Sequence, residues 1–243
     1  MIGRTGGVRV ACGILLAAGW AHAAAVVVPN IWAGTEGPSA ANFFASGVGQ
    51  KQLQINASSE FGAVPLLLTS FALRPDVNLC AGNPCGAFST TIHNLQITLA
   101  TTTRAPDDAD TVFADYLTTN AQVVFSGDLA LSSSYTGPVA GPKNFDILFP
   151  FTSSYLYNPA AGNLVVQVAI NSTDGIPVNL DAAQAAGDPV SRLFGGFSAT
   201  VGLADSFGFI VQFQGQAPSS APEPGACFLV AVGMAAMLYR RRR

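Results

Sequence analysis

The chain has 243 residues, of which 49% are hydrophobic and only 10% are charged, a balance that excludes an intrinsically disordered chain. Residues 24–218 contain five basic and thirteen acidic residues, a formal charge of −8, whereas the whole chain carries −3. An acidic middle without a basic face excludes nucleic acid as a partner, because phosphate binding needs clustered lysines and arginines.

Residues 1–24 have the pattern of a secretory signal peptide. Arg4 and Arg9 give a positive start, an apolar run follows from Val10 to Trp20, and Ala21-His22-Ala23 offers small residues around a cleavage point. The apolar run is short for a membrane span. We therefore expect export of the chain, and a buried N-terminal helix of the folded domain is the alternative.

Residues 25–213 are predicted to form an all-β domain, an antiparallel β-sandwich of jelly-roll type. Short alternating or apolar runs are separated by clusters of Gly, Pro, Asn, Asp and Ser, which is typical of antiparallel strands joined by turns. The predicted strands are 51–57, 64–73, 92–99, 122–131, 145–151, 164–170, 197–201 and 207–213. An alanine-rich stretch near 181–186 shows a weak helical period.

Cys80 and Cys85 enclose the turn sequence Ala-Gly-Asn-Pro. In an oxidising exterior, two cysteines that close a short loop predict a disulfide. The chain-entropy model gives such a small loop about 2 kcal/mol of stability. Metal binding is the alternative, and it would need further soft ligands, for which the exported domain offers only His93.

Four aspartates crowd one loop after Arg104. Asp107, Asp108 and Asp110 are candidate calcium ligands, with Asp115 nearby, because calcium prefers carboxylate oxygens. The glycine and the distal glutamate of an EF-hand loop are missing from this stretch of sequence. A solvated acidic loop is therefore the alternative, and no other cofactor is expected.

No catalytic residues are predicted. His93 is the single histidine left after export, and no Gly-x-Ser-x-Gly elbow is present to expose a nucleophile. Glu36 and Glu60 are the acids that could pair with an aspartate as glycosidases require, although no spacing singles them out.

Carbohydrate binding is the favoured chemistry, because small β-sandwiches stack sugars on exposed aromatic faces beside polar groups. The aromatic candidates are Trp32, Tyr116, Tyr135, Tyr155 and Tyr157. Packing in the core or at its rim is the alternative role for these rings.

Residues 214–221 are predicted to be a flexible linker, because prolines and small polar residues forbid a continuous helix. The apolar run 225–239 predicts a transmembrane helix, followed by Arg240, Arg241, Arg242 and Arg243. Such a helix rises about 22 Å, short of the ~30 Å hydrocarbon core, but arginines can reach the headgroups. Because positive clusters stay in the cytoplasm, the domain is placed outside. An amphipathic or core helix with a basic tail is the alternative.

The last residues, 222–243, resemble the PEP-CTERM sorting signal of Gram-negative bacteria. The likeness rests on Pro222, Glu223 and Pro224, on the apolar run and on the terminal arginines, and Cys227 within the run is a departure. The resemblance implies that the tripeptide is recognised by an exosortase, an integral-membrane protease or transpeptidase that removes the tail. It also implies transient anchoring in the inner membrane, then delivery to the cell surface or the extracellular polysaccharide.

Four segments of the middle resemble the β-sandwich region common among such exported proteins, namely 50–54, 71–76, 95–99 and 191–194. This likeness supports the fold and implies no activity. We therefore expect a non-enzymatic protein of the cell surface or extracellular matrix that binds extracellular polysaccharide. The alternative is a secreted carbohydrate-active hydrolase that uses an Asp/Glu pair.

Overall fold

The computed structural model describes residues 23–44, 47, 49–77, 85–108, 110–117 and 120–218. Within these ranges the chain forms fourteen β-strands and four short 3₁₀ turns. The strands are β1 Ala23–Val28, β2 Ser39–Ala41, β3 Gln50–Asn56, β4 Leu66–Leu73, β5 Phe88–Thr102, β6 Gln122–Ser133, β7 Ile147–Tyr157, β8 Asn163–Ile170, β9 Ser172–Thr173, β10 Leu180–Gln184, β11 Val190–Gly196, β12 Leu203–Asp205, β13 Phe207–Phe209 and β14 Val211–Gln216. The turns are Asn30–Trp32, Ser58–Phe61, Phe113–Tyr116 and Pro159–Ala161.

The strands form three sheets, and the pairings between them are antiparallel. The four-stranded sheet has the order β1-β14-β4-β7, and the three-stranded sheet has the order β13-β10-β2. The seven-stranded sheet has the order β12-β11-β3-β8-β5-β6, and β9 pairs with β5 beside it. The prediction of an all-β antiparallel fold is therefore confirmed.

The main hydrophobic core joins the four-stranded sheet to the seven-stranded sheet. Phe71, Phe149 and Phe213 enter it from the first, and Ile97 and Val166 enter it from the second. The rings of Phe71 and Phe149 stack with centroids 4.6 Å apart. Phe71 and Phe149 are register partners on neighbouring strands of the four-stranded sheet, so their stacked rings bury a large area on the face that this sheet turns to the core.

A second, smaller core lies on the opposite face of the seven-stranded sheet. Its floor is formed by Leu53, Ile55, Ala100, Val165 and Leu193, and the rings of Phe113 and Tyr116 cover it. Successive side chains of a strand point to opposite faces, so β8 places Val165 in the small core and Val166 in the main one. The central strands of this sheet are consequently buried on both faces.

One predicted strand is wrong, and the one stretch with a weak helical period is a strand. The predicted strand 197–201 is a turn, in which the backbone N–H of Ala199 donates to Gly196 O at 2.9 Å, and the strand of this region is β11. The alanine-rich stretch near 181–186 contains strand β10 instead of a helix. Pairing with β2 on one side and β13 on the other satisfies its backbone, which outweighs the helical preference of alanine.

The ends of the folded part extend beyond the predicted domain, 25–213. Strand β1 begins at Ala23, inside the predicted signal peptide, and β14 ends at Gln216, inside the predicted linker. Ala23 and Gln216 are register partners. Residues 1–22 and 219–243, which include the predicted helix 225–239 and the sorting residues, lie outside the described residues. Within the described ranges, no helix combines the length and the apolar character needed to cross a membrane.

We expect Phe149→Ala to lower the free energy of unfolding by about 3–5 kcal/mol, because the ring is fully buried between Phe44 and Phe71. The matched control is Leu148→Ala, since the Leu148 side chain is 47% exposed on the same strand and should change stability by less than about 1 kcal/mol. Urea unfolding followed by fluorescence measures both, and equal losses would contradict this account of the core.

Candidate functional site

The outer face of the seven-stranded sheet carries a polar cleft beside the small core. Lys51, Ala169, Gln96 and Ser126 stand in register across β3, β8, β5 and β6, so they form one row on one face. Gln167 lies one step along β8 on that face, as the register partner of Leu53. The row belongs to the face of the small core, and the main core lies on the other side of the sheet.

The cleft has a volume of about 290 Å³. We define it as the sheet cleft, lined by Lys51, Asn94, Gln96, Ser126, Gly127, Gln167, Ala169 and Phe197. The hollow forms where Ala169 is small between the long side chains of Lys51 and Gln96. Gly127 has a φ of +143°, a backbone conformation that favours glycine, and the β5–β6 register shifts beside it.

Gln167 is the most informative residue of the sheet cleft. Its side chain is only 8% exposed, and its Oε1 atom has no hydrogen-bond partner among the described residues. A buried polar atom without a partner costs about 1–3 kcal/mol, and native structures contain few of them. Gln167 therefore brings an unsatisfied hydrogen-bond acceptor to the group of residues that line the sheet cleft.

Phe197 forms one wall of the sheet cleft. Its ring is 41% exposed, although large apolar side chains are usually covered. The turn that carries it is held by two contacts, since Phe197 N donates to Gly49 O at 3.2 Å and Lys51 Nζ donates to Ala199 O at 2.5 Å. Lys51 Nζ also lies 4.7 Å from the centroid of the Phe113 ring, and burial lowers its pKa. The ammonium group thus fixes the turn and keeps the ring in place.

An exposed histidine lies beside the sheet cleft. His93 precedes Asn94, and its two ring nitrogens face carboxylates, with Nδ1 at 3.2 Å from Asp128 Oδ2 and Nε2 at 3.5 Å from Asp174 Oδ1. The hydrogen bond to Asp128 is the main reason why the pKa of His93 is raised. The backbone N–H of Asn94 donates to the other oxygen of Asp128 at 2.9 Å. The pair therefore stabilises the bend at which Asn94 adopts a φ of 50°.

The predicted calcium ligands surround an arginine. Arg104 reaches Asp110 at 2.6 Å, Asp108 at 3.2 Å and Asp115 at 3.9 Å. The carboxylate of Asp107 instead accepts the N–H of Gly187 at 2.7 Å. These contacts give the loop an electrostatic role of its own, because the guanidinium balances three carboxylates that would otherwise repel one another. Calcium binding by Asp107, Asp108 and Asp110 stays a prediction.

A different group of acids meets in the interior. One carboxylate oxygen from each of Glu36, Asp76 and Asp181 lies within 4.8 Å of the others, and we call these three residues the acidic cluster. Arg74 is 1% exposed, and its Nε donates to Asp181 Oδ2 at 2.6 Å. Burial raises the pKa of Asp181 to about 6, and it also raises the pKa of Glu36. Glu60, the other predicted acid, lies elsewhere and accepts the backbone N–H of Asn30.

Two of the three side chains of the acidic cluster are almost fully buried, so a substrate could not contact them directly. Asp76 and Asp181 are 4% and 1% exposed. A neighbouring cleft of about 480 Å³ is lined by Arg74, Lys143 and Phe145 among others, and the three acids are not among its lining residues. Since Arg74 also donates to the carbonyls of Trp32 and Thr35, the cluster ties the 32–36 segment to β10. Its clear role is structural.

Three of the four candidate tyrosines for sugar stacking are buried, which is the packing role that the sequence left as the alternative. Tyr116, Tyr155 and Tyr157 are between 0% and 3% exposed. The hydroxyl groups of Tyr116 and Tyr157 donate to the backbone oxygens of Asp110 and Gly162, so they satisfy loops instead of facing solvent. Trp32 and Tyr135 are half-buried against the main core. The exposed ring at the sheet cleft is Phe197, which sequence reasoning missed.

The other predicted positions are only partly described. Cys85 is disulfide-bonded, whereas Cys80 lies outside the described residues, so their pairing stays a prediction. Pro222, Glu223, Pro224 and Arg240, Arg241, Arg242 and Arg243 also lie outside them. Comparison of the chain with protein-family models, with curated proteins and with solved structures finds no match. The candidate site therefore rests on its own geometry.

We expect the stability of the fold to respond to the ionisation of Asp181. Because its pKa is about 6 in the folded state and near 3.8 in the unfolded chain, the folded state holds the proton more tightly. The contribution of Asp181 to the free energy of unfolding is therefore full below pH ~4 and is lost as the pH rises through ~6. Urea unfolding of the wild type and of Asp181→Asn across this range measures it.

The wild-type free energy of unfolding, minus that of Asp181→Asn, should fall as the pH rises through this window. Glu60→Gln is the control, because that acid lies outside the acidic cluster and accepts the backbone N–H of Asn30. A difference that grows with pH would show instead that Arg74 holds Asp181 ionised.

Proposed function

We propose that this is an exported, non-enzymatic protein whose folded part, a jelly-roll-like sandwich, binds extracellular polysaccharide at the sheet cleft. The tail resembling a PEP-CTERM signal would hold the chain at the inner membrane through 225–239 until an exosortase releases it to the cell surface. One observation carries the binding proposal, namely the unpartnered amide oxygen of Gln167 at the floor of an open polar cleft among the described residues.

The chemistry of the sheet cleft fits a polyhydroxylated ligand. Asn94, Gln96 and Gln167 supply side-chain amides, each of which has both donor and acceptor atoms, and Ser126 supplies a hydroxyl. Sugar hydroxyls also donate and accept, so they match such a surface. The ring of Phe197 offers an apolar face on which the C–H face of a pyranose can pack. The cleft therefore combines polar groups that can orient a ligand with one aromatic wall.

The competing hypothesis is a hydrolase that uses an Asp/Glu pair, and the acidic cluster is its best support. A glycosidase needs two carboxyl groups that both reach the scissile bond, about 5–9.5 Å apart. Asp181 is committed to Arg74 and is 1% exposed, and the neighbouring cleft presents cations. The observations therefore favour binding over hydrolysis.

We expect Gln167→Leu to weaken retention on the producing bacterium's own polysaccharide about tenfold, with no loss of stability. The amide oxygen has no hydrogen-bond partner among the described residues, so an apolar replacement of similar shape should leave the fold intact. Affinity electrophoresis of the full-length chain in detergent, through gels containing the polysaccharide, measures binding, and urea unfolding measures stability.

The matched control for that experiment is Gln52→Leu. Gln52 Oε1 is also buried without a hydrogen-bond partner among the described residues, but it lines a small cavity on the inner face of the same sheet. Gln52→Leu should keep binding unchanged. If Gln167→Leu binds as well as the wild type, the sheet cleft is not the binding site.

We expect a chain ending at Gln216 to be exported but to lose both membrane retention and C-terminal processing. This end point keeps β14 whole, so its pairing with β1 and β4 is preserved. The control is Cys227→Ala in the full chain, which keeps the apolar run and should sort normally. Cell fractionation and mass spectrometry of the mature ends measure the result, and unchanged retention of the shortened chain would end the sorting proposal.

A further inference from the structure

We infer that the sheet cleft selects a neutral, hydroxyl-rich glycan and discriminates against polyuronates and other anionic polysaccharides. This inference rests on the proposed function and adds the class of ligand to it. Three independent features of the site lead to it: the kind of atom left without a partner, the use made of the single charged lining residue, and the charges that surround the rim.

The unpartnered atom is a hydrogen-bond acceptor. Gln167 Oε1 can be satisfied only by a donor, and no described residue supplies one, so we assign that role to a ligand in the cleft that Gln167 lines. A sugar hydroxyl donates such a bond. A carboxylate or sulfate oxygen is an acceptor, so it would face Oε1 with two lone pairs opposed. The floor therefore favours a ring position that carries a hydroxyl.

The only charged residue in the lining is Lys51, and its ammonium is directed elsewhere. Nζ donates to Ala199 O at 2.5 Å and lies over the Phe113 ring, where burial lowers its pKa. Recognition of an anionic sugar normally needs a positive group aimed at the carboxylate, above all a forked guanidinium. The other lining side chains are amides, a hydroxyl and apolar groups.

The rim adds negative charge. Asp128 follows Gly127 directly, and its side chain is 60% exposed, while that of Asp174 is 63% exposed. Only His93 stands between the two acids, and residues 24–218 carry a net −8. Asp128 adjoins the lining, because it follows Gly127 and accepts the backbone N–H of Asn94. Charges act over a Debye length of about 8 Å at physiological salt, so an anionic chain entering the cleft meets repulsion.

The size of the cleft limits how much of the glycan it holds. A volume of about 290 Å³ stands at the lower end of ligand sites, which span about 300–1,000 Å³. The site therefore takes one or two sugar units of a chain. Stacking on Phe197 and hydrogen bonds from the amides then give weak affinity per site, which suits retention in a dense matrix.

The test is a panel of immobilised polymers offered to the full-length chain in detergent at low and high salt. The polymers are a neutral glucan, a neutral mannan, a polyuronate, a polyglucosamine and the polysaccharide of the producing bacterium. Retention on at least one neutral polymer, with little dependence on salt, is the expected result. Phe197→Ala should weaken that retention about tenfold, and Ala169→Phe should abolish it by filling the hollow.

Two control variants separate the sheet cleft from general surface effects. Leu156→Ala removes another exposed apolar side chain, 58% exposed on β7, and Ala130→Phe adds a ring at an exposed position of β6 outside the cleft lining. Both should bind as the wild type does. Equal losses in Leu156→Ala and Phe197→Ala would overturn the assignment of the site.

The outcomes distinguish this inference from the proposed function. Retention on the polyuronate or the polyglucosamine that Ala169→Phe abolishes, with none on neutral polymers, overturns the neutral class but leaves glycan binding at the cleft standing. Retention that is lost at high salt also overturns the neutral class of ligand, because such binding depends on charge, and it leaves glycan binding standing. If no polymer retains the chain, including the bacterium's own polysaccharide, both the inference and the binding function fail.

Discussion

The structure depends on the alternation of side chains along β8, the strand at the centre of the seven-stranded sheet. Leu164, Val166 and Ile170 point into the main core, whereas Val165 enters the small core on the other face. A slip of one residue would exchange the two sets, which hydrophobic burial forbids. Because Gln167 shares the parity of Val165, the burial of apolar neighbours forces its amide onto the outer face. The core thus decides where the cleft floor lies.

The outer face of the seven-stranded sheet is covered by other residues at one end and open at the other. The sheet cleft lies at the open end. The turn Phe113–Tyr116 packs over the apolar end of the face. Its approach is stabilised by Arg104, which binds the flanking carboxylates and lies 5.1 Å from the Tyr116 ring. Beyond this cover the row turns polar and stays open to solvent. The acidic loop after Arg104, which the sequence suggests as a metal site, therefore also holds the turn Phe113–Tyr116 over the small hydrophobic core.

Sequence patterns predicted much of the fold and little of the site. Alternating or continuous apolar runs bounded by turn residues revealed β3, β5, β6 and β8. They missed β10, whose alanines carry no strand signal and which is held by its neighbours. The cleft joins positions 51, 96, 126 and 167 through register, and no single-chain pattern encodes pairing between strands so far apart. The sequence also did not predict that Phe197 is exposed, because a phenylalanine in a turn and one in a strand look alike in sequence.

The position of the chain ends connects the cleft with the predicted sorting route. Ala23 and Gln216 pair at one end of β1 and β14, so the two ends of the folded part lie side by side at the four-stranded sheet. The sheet cleft opens on the outer face of the seven-stranded sheet, across the main core from that point. The proposed C-terminal anchor would follow β14 in the four-stranded sheet, so it would leave the outer face of the seven-stranded sheet uncovered. An anchored chain could therefore engage polysaccharide before its tail is removed, because neither event needs the surface that the other uses.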